Sequence, residues 1–483
     1  MQLMKNYRLT RFALSFSCLA SVSAGPAMAQ STGDGEESQA YPRLIEQNVR
    51  SKLSLISEGD RRLGLGANGD AKSDEAGIDI KPEWVWQLSP HWRSKLLLQA
   101  FGATGQVDVS DEIGGTSTDG FFALREAWLD YNGLSDYPGE SIRFGRERLK
   151  EDTGMWWDDD ITLVRWIFDT SLLDTTVGVA QKLAELRTDN NELQDDEQDI
   201  GRIFANTRWQ WRKGHYLGFL VTHGQGYGDQ AEEYAARGLT PNDSFTDSLT
   251  WTAIQADRNY FDWHSHDAFQ YFASVAAVNG TDTVVGEDPS APSGFSDRER
   301  DVSGWAADLG ARAQLLDTPR WVIGAHGAIA SGGSGGGEPG DSDAFQQTSL
   351  ESNRSSFTGT RSQVHRFGEA IQPEWSNLKV FTFYTALSDR DAWDANLLYH
   401  RYWLSDEMGT VRSDLVEPGF TGASDDLGQS VDLVLGYYGD SASTSWAAFD
   451  VRLRGGVFMP GDAYGDDADS SRHRVVVDLS KRF

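Results

Sequence analysis

HRVVVDLSKRF, residues His473 to Phe483, alternates between two faces along its whole length. Val475, Val477, Leu479, Lys481 and Phe483 fall on one side of a period-2 strand, and Arg474, Val476, Asp478, Ser480 and Arg482 on the other. One face is mainly apolar and one mainly polar, as in a strand of a wall with lipid on one side and water on the other.

A terminal strand ending in Phe also resembles the C-terminal assembly signal of bacterial outer-membrane barrels. The opposite end agrees. Met1 to Ala29 has a basic start (Lys5, Arg8, Arg11), an apolar centre around Phe12 to Val22 and a small-residue site at Ala27, Met28, Ala29. It reads as a secretory signal peptide removed before Gln30. The one cysteine, Cys18, lies inside it, so thiolate ligands and disulfides are excluded from the mature chain. Beyond the leader no apolar run approaches the roughly 18 to 20 residues of a membrane helix. Barrel strands need only about 9 to 11 residues with alternate positions facing lipid, so hydropathy averages conceal them. The 17 Trp, 15 Tyr and 23 Phe residues suffice for aromatic girdles at both membrane surfaces. The alternative, a soluble secreted β protein with an aromatic core, leaves the terminal strand unexplained.

The chain carries 73 acidic and 43 basic residues, a formal net charge of −30. Such a balance argues against nucleic acid as a partner. Net charge acts at long range, however, while a pore responds to the charges lining it. The acids are expected in external loops, where they can bind divalent cations between lipopolysaccharide molecules; no other cofactor is expected.

Strand-length segments separated by polar turns fill the body, without the 3.6-residue period of long helices. Candidate strands are Val49 to Ile56, Arg93 to Phe101, Ala127 to Tyr131, Tyr216 to Thr222, Phe269 to Val278, Trp321 to Ile329, Leu378 to Leu387, Ala395 to Trp403, Val431 to Tyr438 and Trp446 to Val457. No boundary marks a second globular domain. The fold class is therefore all-β, a monomeric transmembrane antiparallel barrel spanning about 40–483 of a mature chain 30–483. About 18 strands would leave roughly 25 residues for each strand with its connection. The Gly-rich, acidic stretch Ser331 to Ser349 reads as a flexible loop, with a plug or gate as the second reading. Asp195 to Asp199 and Asp462 to Asp469 read as solvated loops; neither has EF-hand spacing, which leaves calcium binding as a weaker reading.

Three stretches place charge on the face that should be luminal. In Trp446 to Val457, Val451, Leu453 and Val457 share one parity and Asp450, Arg452 and Arg454 the other. Arginines at alternate positions stand about 7 Å apart and present planar forks to passing carboxylates. Likewise Arg50, Lys52 and Ser54 oppose Val49, Leu53 and Leu55, and Asp79 and Lys81 oppose Ile78 and Ile80. Facing such groups to lipid would cost about 2 to 4 kcal/mol each near the midplane, so they should point inward. Together they suggest an anion path.

Gln346 to Ala370 (QQTSLESNRSSFTGTRSQVHRFGEA) is a basic island in an acidic chain. Here the chain resembles the alginate export outer-membrane porins. Leu129 to Asp158 (LDYNGLSDYPGESIRFGRERLKEDTGMWWD), Leu172 to Asp189 (LLDTTVGVAQKLAELRTD) and Arg454 to Gly465 (RGGVFMPGDAYG) carry the same resemblance, in order through nearly the whole mature chain. It implies an 18-stranded barrel exporting a linear polyuronate through a narrow electropositive constriction. The basic lining it implies is Lys52, Lys81, Arg125, Arg148, Arg354, Arg452 and Arg454, with Glu126, Asp158, Asp189 and Asp478 as acidic partners. It also implies a periplasmic scaffold lipoprotein and the barrel assembly machinery as partners. Lys81 stands where the pattern has Arg, keeping charge but losing the fork. Gln363 stands where another constriction Arg is expected, so one cation is missing.

Parity alone calls Lys52, Lys81, Arg452, Arg454 and Asp478 luminal. Arg125 shares parity with Ala127, Leu129 and Tyr131 and needs a bulge or strand end to point inward. Arg148, Arg354, Asp158 and Asp189 rest on the resemblance. Enzymatic readings fare poorly: His264, Ser265 and His266, or Ser362 with His365, lack a nucleophile elbow and a third member, and no Gly-Lys-Ser/Thr phosphate loop occurs. The function expected is passive export of alginate, with a general anion or oligosaccharide porin, or a surface enzyme or adhesin, as alternatives.

Overall fold

The computed structural model describes residues 41–59, 61–65, 73–104, 120–189, 193, 199–227, 244–265, 267–333, 341–389, 392–411, 413, 415–416, 419–439 and 448–483. The leader, Asp195 to Gln198 and His266 lie outside them. Eighteen strands form one antiparallel sheet. They are β1 Arg43–Gly59, β2 Ser73–Ser89, β3 Trp92–Ala103, β4 Gly120–Tyr131, β5 Glu140–Lys150, β6 Asp158–Asp169, β7 Leu173–Gln181, β8 Ile200–Arg212 and β9 His215–Gly226. Then follow β10 Ser244–Asp257, β11 Phe269–Glu287, β12 Phe295–Asp317, β13 Arg320–Ala330, β16 Leu378–Asp389, β17 Trp393–Leu404, β18 Asp426–Tyr437, β19 Asp450–Pro460 and β20 Arg472–Arg482. β1 pairs with β20 from Arg50↔Arg482 to Gly59↔His473, which closes the barrel and leaves no open edge. Two further short strands, β14 Arg354–Ser355 and β15 Val364–His365, form a separate ladder in the connection 331–377.

The wall alternates as its sequence demands. Leu55, Phe122, Val179, Ile203, Ile254, Val275, Leu309, Phe383 and Leu433 are exposed on the outer face, while their strand neighbours are buried within. A band of apolar side chains this extensive belongs in lipid. In the terminal strand Arg474, Val476 and Asp478 are buried inside and Val475 is exposed outside. Short turns such as 90–91, 213–214 and 318–319 lie at the end that carries Arg43 and Phe483, which is the periplasmic end by the usual asymmetry of such barrels. Trp209, Trp211, Phe269, Trp321, Trp393 and Tyr437 are exposed at that same end and form its aromatic girdle. β19 begins at Asp450 rather than Trp446, which lies outside the described residues.

The described residues of the connection between β13 and β16, 331–333 and 341–377, pack inside the lumen. Of the stretch expected to be mobile, 334–340 lies outside the described residues, but 341–349 is packed: Phe345 is fully buried and Gln347 and Thr348 nearly so. The reason is local burial of apolar groups that a reading of glycine content misses. Phe345, Phe357, Phe367 and Trp375 join wall residues such as Trp251, Phe272 and Tyr402 in one inner core. The descending backbone is satisfied by the wall. Trp251 Nε1 donates to Gln346 O at 2.8 Å, Arg312 Nη1 to Phe357 O at 2.7 Å, Tyr402 Oη to Phe367 O at 3.0 Å and Arg472 Nε to Ala370 O at 2.9 Å.

Candidate functional site

Three local devices aim the charged side chains into the lumen. The first is a bulge in β4. Its register to β3 runs Leu97↔Glu126 and then Leu98↔Leu124, so Arg125 is the extra residue. Phe121, Ala123 and Arg125 point inward before the bulge; Trp128 and Asp130 point inward after it. The inserted residue turns an outward parity into an inward one. Arg125 Nε then meets Asp160 Oδ2 at 2.6 Å, both buried.

The second device bends the β5–β6 hairpin inward. β4 pairs with β5 only from Tyr131↔Ile142 to Ala127↔Arg146. Above that, residues 182–189 take the place of β5 against β4, with Leu124 N donating to Leu186 O and Thr188 N to Phe122 O. The bend falls at Gly145, whose φ of +127° suits glycine and whose added Cβ would lie 2.3 Å from Ala127 O. Met155, Trp156 and Trp157 at the hairpin tip are buried against the inner connection, and Thr348 Oγ1 donates to Trp156 O at 2.5 Å. Leu149, Ile161 and Leu163 join the inner core, so the opposite face carries Arg146, Arg148, Lys150, Asp158 and Asp160. Arg148 Nε lies 2.6 Å and Lys150 Nζ 2.9 Å from the two oxygens of Asp158.

The third is the seam where the barrel closes. Ser54 Oγ donates to Asp478 Oδ1 at 2.5 Å, and Arg454 Nη2 reaches Asp478 Oδ2 at 3.2 Å. Lys52 stands opposite Asp79, whose carboxylate accepts from Gln99 Nε2 at 2.9 Å and lies 3.4 Å from Lys81 Nζ.

The remaining sequence-selected residues fall less simply. Arg354 is not on the barrel wall; it sits buried in the β14–β15 ladder and pairs with Glu369 at 3.1 Å. Glu126 is bonded by Lys95 at 2.9 Å and Asp189 by Arg187 at 2.6 Å, neither cation having been selected from sequence. Gln363, the position lacking its expected arginine, lies 3.5 Å from Lys150 Nζ, so a cation of β5 stands at that point. Arg143 and Arg165 were also missed; both meet Glu147, at 2.9 and 2.5 Å. The alternation Arg146, Arg148, Lys150 was a usable signal for β5, obscured by Arg143 and Glu147 on the other parity below and beyond Gly145.

One asymmetry marks the pairs made by β5. Its cations keep part of their surface toward the lumen while their carboxylates are tucked behind: Arg148 is 23% and Lys150 35% exposed against 2% for Asp158, and Arg143 22% against 2% for Glu147; at the seam the order reverses, Arg454 being more buried than Asp478. Along β5 and β6 the lumen therefore presents positive charge despite nearly balanced stoichiometry. Among the described residues no three His, Cys, Asp or Glu side chains converge to hold a metal ion, the Asp462 to Asp469 stretch included.

The comparisons with known proteins meet this geometry. A model of the alginate export family matches residues 52–478. The chain belongs to the alginate export family. It is 36% identical to the alginate production protein AlgE of Pseudomonas aeruginosa, with 95% of this chain and 94% of that protein covered. The AlgE of Azotobacter vinelandii is 35% identical over 89% of this chain and 92% of its own. The fold is also that of OccAB1 of Acinetobacter baumannii, with a TM-score of 0.55 at 9% identity over 93% of this chain and 99% of that one. Pseudomonas aeruginosa OpdK gives 0.52 at 11% identity, over 91% and 99%. An alginate export family barrel with these neighbours is a protein of the outer membrane.

Proposed function

We propose that this protein is the outer-membrane channel through which the anionic polyuronate alginate leaves the cell, moving passively from carboxylate to carboxylate past the lysines and arginines of the lumen. The observation that carries the reading is the asymmetry of exposure: partly open Arg148, Lys150 and Arg143 over closed Asp158 and Glu147. A polymer crossing a pore must bind at many weak sites, since one tight site would stall it. Each paired carboxylate limits tightness by competing for its cation and holds the long side chain in one rotamer. Lys52, Lys81, Arg125, Arg148, Arg354, Arg452 and Arg454 are the proposed lining, with Lys95, Arg143, Lys150 and Arg165 added by the structure. Arg354 acts through the inner connection, and Glu126, Asp158, Asp189 and Asp478 space the cations. A channel, rather than an enzyme, is the reading favoured by the family and the barrel. Synthesis at the inner membrane supplies the driving force, and a periplasmic scaffold lipoprotein supplies the chain end.

Planar-bilayer recording with added polyuronate tests this. Blockade at low polymer concentration and an anion preference in simple salt are expected; a cation-selective pore indifferent to polyuronate would sink the reading. Polymer trapped in the periplasm of a deletion strain would separate dedicated export from a general anion porin.

A further inference from the structure

The inner connection exposes a single side chain along its buried run. From 353 to 371 every residue is buried or half-buried except Arg361. The backbone around it is pinned: Arg320 Nη1 donates to Gly359 O at 2.6 Å, Thr360 Oγ1 to Asn396 Oδ1 at 2.9 Å, and Ser362 N to Asp394 Oδ2 at 2.9 Å. Arg320 and Asp394 lie at the periplasmic ends of β13 and β17, so the connection descends from the far end of the barrel to the periplasmic mouth. There the Arg361 guanidinium lies 3.9 Å from the ring centre of Tyr438 and 6.0 Å from that of Trp263. Both rings belong to periplasmic turns, 438–449 and 258–268.

Tyr438 is held rigidly under this cation. Its hydroxyl donates to Asp394 Oδ2 at 2.7 Å and lies 3.0 Å from Ser362 Oγ. The ring folds back over Gly436, where an added Cβ would lie 2.7 Å from the hydroxyl oxygen. Gly436 stands directly opposite Arg452 in the β18–β19 ladder, which brings a second guanidinium beside the same phenol. Among the described residues no carboxylate closes an ion pair on Arg361 or Arg452. They differ in this from Arg454 and Arg148, whose charge is shared with a carboxylate.

We propose that Arg361, Arg452, Tyr438 and Trp263 form a capture site at the periplasmic mouth for a carboxylated sugar, the leading residue of the exported polymer. The proposal rests on the export reading above. Stacking on a ring orders a guanidinium without cancelling its charge, so the N–H fork faces a carboxylate with less ordering left to lose. Trp263, against whose ring His264 lies at 3.6 Å between centroids, adds an apolar edge for the C–H side of a sugar ring. A cation pair with no carboxylate bound to it among the described residues also raises the rate of encounter with a polyanion, which a paired lining does not.

The test uses the full-length protein in planar bilayers, with insertion direction read from a one-sided thiol reagent on Lys213→Cys in a periplasmic turn. Polyuronate oligomers are added to one side at a time. For Arg361→Glu the association rate of blockade from the periplasmic side should fall about tenfold, in the range that steering charges command, with extracellular-side blockade unchanged. Arg361→Lys should retain most of the wild-type rate. Arg361 is exposed, and heat-modifiable migration of each variant verifies the folded barrel. An unchanged periplasmic rate in Arg361→Glu, or an equal fall from both sides, would overturn the capture site. Wild-type protein blocked from neither side would overturn the export reading and this site with it.

Discussion

Asp478 stands directly opposite Arg452 in the β19–β20 ladder, yet its carboxylate is taken by Arg454, two residues along, at 3.2 Å. Ser54 of β1 donates to its other oxygen. The diagonal choice leaves Arg452 for the lumen and ties the first, penultimate and last strands of the barrel together. Arg452→Ala should weaken anion preference, read as a smaller reversal potential in a salt gradient, with thermal stability unchanged. Arg454→Ala should weaken anion preference and also lower thermal stability, because Asp478 would remain buried without its cation, a loss of about 3 to 5 kcal/mol. Equal stability of the two variants would contradict this division.

Lys150 supplies positive charge beside Gln363 and is more than a third exposed. Lys150→Gln should therefore lower anion selectivity while shifting stability by less than about 0.5 kcal/mol, as surface substitutions do. Gln363→Arg should raise selectivity. A Lys150→Gln pore as anion-selective as the wild type would remove β5 from the conducting path.

Gly145 allows β5 to leave β4. Gly145→Val would place a branched side chain at φ +127° and within 2.3 Å of Ala127 O, a strain of several kcal/mol. The variant should lose heat-modifiable migration or populate a form in which trypsin cuts near Lys150. Gly327→Ala, where the nearest atom is 3.9 Å away, is the control expected to be neutral.

Arg366 of the inner connection is fully buried, paired with Asp308 of β12 and 3.0 Å from His326 Nε2 of β13. Arg366→Met should cost about 3 to 5 kcal/mol and loosen the connection, because Asp308 keeps its charge in a dry site. Single-channel conductance should rise and 350–377 should become protease-sensitive. Asp308→Asn added to Arg366→Met should recover part of the loss, a coupling measurable by a double-mutant cycle.

The same connection should release in acid. Burial alone would push the Glu369 carboxyl up, but the Arg354 and Arg454 guanidinium groups and His365 outweigh it and hold the group at about 2, against 4.5 when solvated. A depressed folded value means stability that is complete above about pH 4.5 and drains away as the pH falls toward 2. Proteolysis of 350–377 should therefore be flat from neutral pH to about 4.5 and rise below it. In Glu369→Gln the acid-dependent rise should be absent.

The sequence alone settled the wall. A side-chain period of two, a penalty of kilocalories for a charge in lipid and the lack of any long apolar run leave a barrel as the consistent reading. The same alternation put Lys52, Lys81, Arg452, Arg454 and Asp478 inside, because a regular strand has only two faces. Arg125, Arg148, Lys150 and Arg354 could not be placed that way. Arg125 turns inward only through a bulge set by pairing with β3, and Arg148 and Lys150 only because residues 182–189 displace β5 at Gly145. Arg354 reaches the lumen on a connection whose aromatic residues find their core inside the closed barrel. Strand periodicity is local and survives in one chain read end to end. Bulges, inward bends and an inserted connection are decided by contacts between segments far apart in sequence, and only the tertiary structure holds those.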